Sequence, residues 1–167
     1  MSGAERRLAV EHWLLMVTED RDRGRRERKT DGVALLCCGG IVGVVRISAA
    51  LVQATAGTDI PQDVDAYLYR ALPGGPVFAG LTTLRYYVLV RNITGLREEW
   101  EQARDDAAFM GRGHFLGVPA LDATSPDHRH YWCVEMDGAA DLAASDVVSQ
   151  LVQTGRYRLA GDKPHHG

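Results

Sequence analysis

From Val33 to Val45 the chain carries no charge, is apolar and rich in β-branched residues, and is broken by glycines at positions 39, 40 and 43. Two architectures compete for this stretch. A buried helix would hold all three glycines in its interior at about 1 kcal/mol each. Two strands, Val33–Cys38 and Ile41–Ile47, instead place Gly39-Gly40 where a two-residue turn wants glycine. The spacing therefore predicts a β-hairpin. A membrane span is not expected, because the 13 uncharged residues fall short of the ~20 that a helix needs to cross a bilayer, and Arg46 ends the run.

The segments on either side read as an α+β domain. Before the glycines, Leu8, Val10, Trp13, Leu14 and Val17 fall at helical spacing over Ala4–Thr18. An arm of alternating arginine and acid follows over Glu19–Asp31, either an ion-paired continuation of the helix or a solvated segment. After the glycines, Ser48 can cap a short helix that ends at Gly57. A second helix has Thr58 or Asp59 as cap and Pro61 in its first turn, and it stops at Pro73-Gly74-Gly75-Pro76. Val77–Ala79 and Leu84–Val90 form a second hairpin across Gly80–Thr83. Thr94–Met110 reads as an acidic amphipathic helix closed by Gly111. Phe115–Val118 and His130–Met136 are strands. A last helix, capped by Asp141 or Ser145, runs to Thr154-Gly155.

This order predicts a mostly antiparallel sheet of about six strands with helices packed over one face, preceded by the N-terminal helix and Arg-rich arm. Residues 1–31 form that helix and arm, 32–160 the domain, and 161–167 a disordered tail. The chain's 167 residues, 46% hydrophobic and 25% charged, suit one domain that builds its own core without disulfides or metal. Alternation places Tyr86, Val88, Val90, Trp132 and Val134 on the buried side of the sheet.

Charge argues against a general nucleic-acid binder, since the net is -3. The three cysteines, two of them adjacent, form no disulfide framework and read as small buried residues in a reducing cytoplasm. No cofactor fingerprint emerges. Cys38-Gly39-Gly40-Ile41-Val42-Gly43 follows a strand but lacks the first glycine of a dinucleotide turn and continues as strand. His128, His130 and Cys133 offer zinc donors, but the one further pair that could complete a closed site is His165-His166 in the tail, so loop histidines and a packed cysteine are the expectation. Glu135 and Asp137 share one side of a strand end, where they can hold a divalent ion or do acid–base work. Gly111-Arg112-Gly113-His114 joins backbone amides, a guanidinium and an imidazole in one turn, a composition that suits phosphate or carboxylate. Its plain alternative is a helix C-cap followed by an exposed turn.

Asp31-Gly32-Val33-Ala34-Leu35-Leu36, Gly75-Pro76-Val77, Tyr86–Val90, Gly111–Pro119 and His130–Met136, in that order, resemble short actinobacterial proteins labelled bifunctional DNA primase/polymerase-like. The resemblance covers roughly residues 31–160. It implies an acid-x-acid metal site at a strand end, a small-x-His motif that contacts nucleotide phosphate, and a later acid. Gly111-Arg112-Gly113-His114 is similar to the second motif, with Arg112 where a small residue is wanted, and Met136-Asp137 is similar to the third. Arg91-Asn92 stands where the first is expected, and a cation there would repel catalytic divalent ions. The resemblance therefore implies a non-catalytic module for a nucleotide or nucleic acid, with Arg91, Arg112, Gly113, His114 and Asp137 at the site. The alternatives are a protein–protein interaction or regulatory subunit acting through the Arg-rich arm and, least favoured, a metal-dependent nucleotidyl-transfer enzyme. Oligomeric state is left open.

Overall fold

A computed structural model describes residues 3–16 and 33–162; the Arg-rich arm and the C-terminal residues from 163 lie outside the described residues. The elements are α1 (Gly3–Met16), β1 (Val33–Cys37), β2 (Val42–Ser48), α2 (Ala49–Ala56), α3 (Pro61–Ala71), β3 (Val77–Gly80), β4 (Arg85–Arg91), β5 (Ala107–Met110), β6 (Phe115–Pro119), β7 (His130–Val134) and α4 (Ser145–Asp162). Five strands form one antiparallel sheet in the order β5-β2-β4-β3-β7, and β1 pairs with β6 in a separate antiparallel ribbon. The α+β class is as expected.

One face of the sheet buries Val45, Ile47, Val77, Tyr86, Val88 and Val90 against Leu51 and Val52 of α2, Val64 and Leu68 of α3, and Val148 and Leu151 of α4. The opposite face carries Val42, Val44, Phe78, Leu89 and Trp132. There the ribbon supplies Leu36 and Val118, and α1 supplies Val10, Trp13 and Leu14. The N-terminal helix thus covers the face that α2–α4 leave free.

The Gly39-Gly40 hairpin does not form. Gly39 turns the chain with φ +114°, its N–H donates to the Val42 carbonyl at 2.9 Å, and β1 leaves the sheet to pair with β6. Both edges of β2 are already filled, by β4 and β5. The helix expected over Thr94–Met110 is also absent. Two short 3₁₀ turns, Asn92–Leu96 and Glu98–Trp100, precede β5. Helical spacing there is outcompeted by the ladder that β2 offers and by the seat of Phe109 between two glycines. A Cβ on Gly95 would lie 2.3 Å from the Phe109 ring, and one on Gly43 2.6 Å.

Other expectations hold. Ser48 Oγ accepts from the Leu51 N–H, and Gly57 closes α2 at φ +74°. Pro61 opens α3, although neither Thr58 nor Asp59 caps it: Ile60 occupies that position without a side-chain hydrogen bond. The β3–β4 hairpin forms as expected. In β7 the alternation breaks at a bulge, because Val134 lies opposite Val77 while Trp132 lies opposite Phe78. Cys133 is the extra residue, so Val134 joins the helix side and Trp132 the opposite face. α4 runs past Gly155 to Asp162.

Candidate functional site

The turn at Gly111–His114 sits at the end of the sheet where β4 finishes. A Cβ on Gly39 would lie 2.4 Å from Arg112 Cα, so the two turns are stacked backbone on backbone. Asn92 Nδ2 donates to the Gly39 carbonyl at 3.0 Å, which ties the end of β4 to the same place. The structure therefore gathers the Arg91-Asn92 strand end and the Arg112–His114 turn. Gly113 holds φ +92° at an open position, and Arg91, Arg112 and His114 are exposed. Part of the donor capacity of the turn, that of His114, is engaged internally. The His114 N–H donates to the Gly111 carbonyl at 3.1 Å, and Nδ1 of its ring lies 3.2 Å from that same oxygen.

Asp137 lines a different space. It stands with Glu135 on one wall of a cleft of about 400 Å³ whose other wall is α1, while Arg91 lines a groove of about 750 Å³ with Ile41, Ile93 and Asp141. The zinc donors diverge. His130 packs edge-on against Phe78, whereas Cys133 is held by Asp65 and Tyr131 beneath α3. Among the described residues no group of three His, Cys, Asp or Glu side chains is placed to hold a metal ion.

A cluster that sequence reasoning missed occupies the end of the second sheet face nearest His130. The strand register sets Arg46, Tyr87, Phe78 and Trp132 in one row across β2, β4, β3 and β7, and Arg85, Gly80 and His130 in the next. Phe78 and Tyr87 stack with centroids 4.9 Å apart and planes within 14°; His130 and Trp132 meet Phe78 edge-on at 5.4 Å. Phe78 is buried, whereas Tyr87 and His130 remain half-buried. Burial lowers the pKa of His130, so the ring is neutral around physiological pH.

The arginines beside this stack are poorly satisfied. Arg46 Nε and Arg85 Nη1 are both shielded from solvent without an acceptor. Arg46 Nη2 reaches only the Arg104 carbonyl, at 3.5 Å. Buried donors of charged groups are costly to leave unpaired. Exposed Arg104 and Arg129 flank the cluster, and the same loops carry exposed Asp105 and Asp127. The available sequence signal was alternation itself, since Arg85, Tyr87 and Arg91 share one face of β4. The missing information was which part of that face stays uncovered.

A second polar cluster lies on the helix side. The Tyr131 hydroxyl donates to Asp65 at 3.0–3.1 Å. Burial raises the Asp65 carboxyl and pushes the Cys133 thiol well up, which leaves Cys133 protonated and a poor nucleophile. Among the described residues no helix is long and apolar enough to cross a membrane. Comparison with protein-family models, curated proteins and solved structures finds no match to this chain.

Proposed function

We propose that this protein is a non-catalytic module that binds nucleotide-bearing ligands, single-stranded nucleic acid foremost, on the open end of its second sheet face. The observation that supports this reading is the pair of shielded, acceptor-less guanidinium nitrogens on Arg46 and Arg85 beside the Tyr87–Phe78–His130 stack. Both arginines are half-buried and not closed off as whole side chains, and phosphate is the acceptor that forked guanidinium groups favour. The half-buried Tyr87 ring, held on one side by its stack with Phe78, leaves part of its surface for a base. A duplex keeps its bases stacked inside and gains only the electrostatic part. The Arg91–Arg112 turn at the opposite end of the sheet serves this reading as a secondary anion contact.

The absence of turnover is part of the proposal. Arg91-Asn92 occupies the strand end where the primase/polymerase resemblance requires paired acids, and Asp137 lines another cleft. The test is fluorescence anisotropy with a labelled oligothymidylate over a salt series. Affinity should fall with salt, with a log–log slope of about 0.7 per phosphate contacted on a single strand. Arg46→Gln and Arg85→Gln should each lower affinity and reduce that slope by about one contact. Undetectable binding at low salt would remove this reading and favour a protein partner for the Arg-rich arm. Mg²⁺-dependent primer extension lost in Asp137→Ala would remove the non-catalytic part.

A further inference from the structure

The cleft between α1 and the end of β7 has a chemistry unlike that of the sheet face. Arg6 and Arg7, one helical turn from Val10, form one wall, and Glu135 and Asp137 form the other. All four charged side chains are exposed at the rim. Among the described residues no ion pair or hydrogen bond joins one wall to the other. The floor is apolar: Val10, Trp132 and Met136 are each at least nine-tenths buried. Trp132 Nε1 is already committed to the Pro119 carbonyl at 3.1 Å, and with the ring itself almost fully buried the half-buried Leu121 adds the more open part of the apolar lining.

A phosphate-rich ligand fits this rim badly, because it would meet two carboxylates as well as two guanidinium groups. A simple cation meets the reverse conflict. Both walls are satisfied by a ligand with one negative and one positive group close together and an apolar body below them. The volume, about 400 Å³, lies within the range of about 300–1,000 Å³ typical of small-molecule sites. We infer that the cleft between α1 and the β7 end is a binding site for a free amino acid with a large apolar side chain. The carboxylate faces Arg6 and Arg7, the ammonium faces Glu135 and Asp137, and the side chain lies against Leu121 and the edge of Met136. Because α1 is one wall, occupancy stabilises the docked helix.

The test is calorimetric titration of the full chain with L-phenylalanine, L-leucine, L-methionine and L-tryptophan, with thermal melts in parallel. At least one should bind and raise the melting temperature. N-acetyl-L-phenylalanine lacks the ammonium, L-phenylalaninamide lacks the carboxylate, and L-alanine lacks the apolar body. Each should bind about tenfold or more weakly than the best ligand, the loss expected for one charge-assisted contact or most of a buried side chain. Arg6→Gln with Arg7→Gln, and Glu135→Gln with Asp137→Asn, should melt like the parent protein when unliganded and lose binding by a similar factor. Failure of all four amino acids to bind at about 10 mM overturns the inference. So do single-charge analogues that bind as tightly as the zwitterion, or folded wall variants that bind unchanged.

Discussion

At Asp65 the carboxylate lies half-buried where α3 packs on β7, and both of its oxygens accept from the Tyr131 hydroxyl. Burial raises its pKa above the ordinary 3.8, and the hydrogen bonds from Tyr131 and Cys133 only partly oppose this. The native state therefore holds a proton more tightly than the unfolded chain. The associated stability is present in full below the unfolded value and is lost as pH rises through the folded one. Asp106 behaves in the opposite sense. Arg156 donates to it at 2.8 and 3.0 Å and holds its pKa down, so its contribution is present above 3.8 and fades as pH falls through the depressed value. Both partners are part-exposed, and such a pair contributes about 0.2–1 kcal/mol. Asp65→Asn keeps an acceptor for Tyr131 without the ionisation, so it should gain stability relative to the parent as pH rises from acid to neutral. Asp106→Asn should be less stable than the parent near neutrality and converge with it in acid. Urea midpoints for the three proteins across the carboxylate range decide both signs.

Among elements, α4 shows how a local signal can be overruled by packing. Thr154-Gly155 reads as a helix stop, yet α4 continues through it because Gly155 is where α4 crosses α2. A Cβ there would lie 2.5 Å from Thr55 Oγ1 and 2.6 Å from Leu51 Cδ2. Thr55 Oγ1 also donates to the Leu151 carbonyl at 3.2 Å across the same crossing. Gly155→Ala removes the roughly 1 kcal/mol that glycine costs in a helix, but it overpacks the crossing at about 1–3 kcal/mol. A net loss of stability is expected in urea or thermal melts, and a gain would show that the helices can part without cost. The hairpin expected at Gly39-Gly40 and the helix expected over Thr94–Met110 give way for the same reason. Glycine turns and helical spacing are local, whereas pairing of β1 with β6 and of β5 with β2 depends on which edges are already occupied. Elements whose signals are themselves local were legible: the Ser48 cap, the Gly57 stop, Pro61 at the start of α3 and the hairpin of β3 with β4. Alternation alone sets Trp132 on the same face as Val134, and the single-residue bulge at Cys133 that separates them leaves no mark on the apolar pattern.

For the whole molecule, three layers rather than two make one part of the second sheet face core and leave another part open. Strand β4 passes through both, so alternation alone cannot rank Leu89 and Tyr87, which share a face two residues apart. Leu89 is fully buried beneath the second layer, whereas Tyr87 is half-buried and stacks on Phe78. The candidate site is only partly legible in the sequence for this reason. Composition singles out Arg91, Arg112, Gly113 and His114, which lie near one end of the sheet with Arg91 in a groove of its own, whereas Arg46 and Arg85 are marked only by the covering layer. This partition carries a paired prediction. Leu89→Asp places an unpaired charge in a closed layer, at a cost of several kcal/mol, comparable to the whole stability of a domain. It should abolish cooperative melting. Tyr87→Asp loses a stacked pair worth about 0.5–1.5 kcal/mol, so it should still fold, with a lower melting temperature. The same change puts a carboxylate between Arg46 and Arg85. It removes the stacking ring, about 1–3 kcal/mol per base, and competes with phosphate for both guanidinium groups. Single-strand binding should therefore fall below detection in a protein that still melts cooperatively. If Leu89→Asp folds, the layering is wrong; if folded Tyr87→Asp binds oligothymidylate like the parent, the open sheet face is not where it binds.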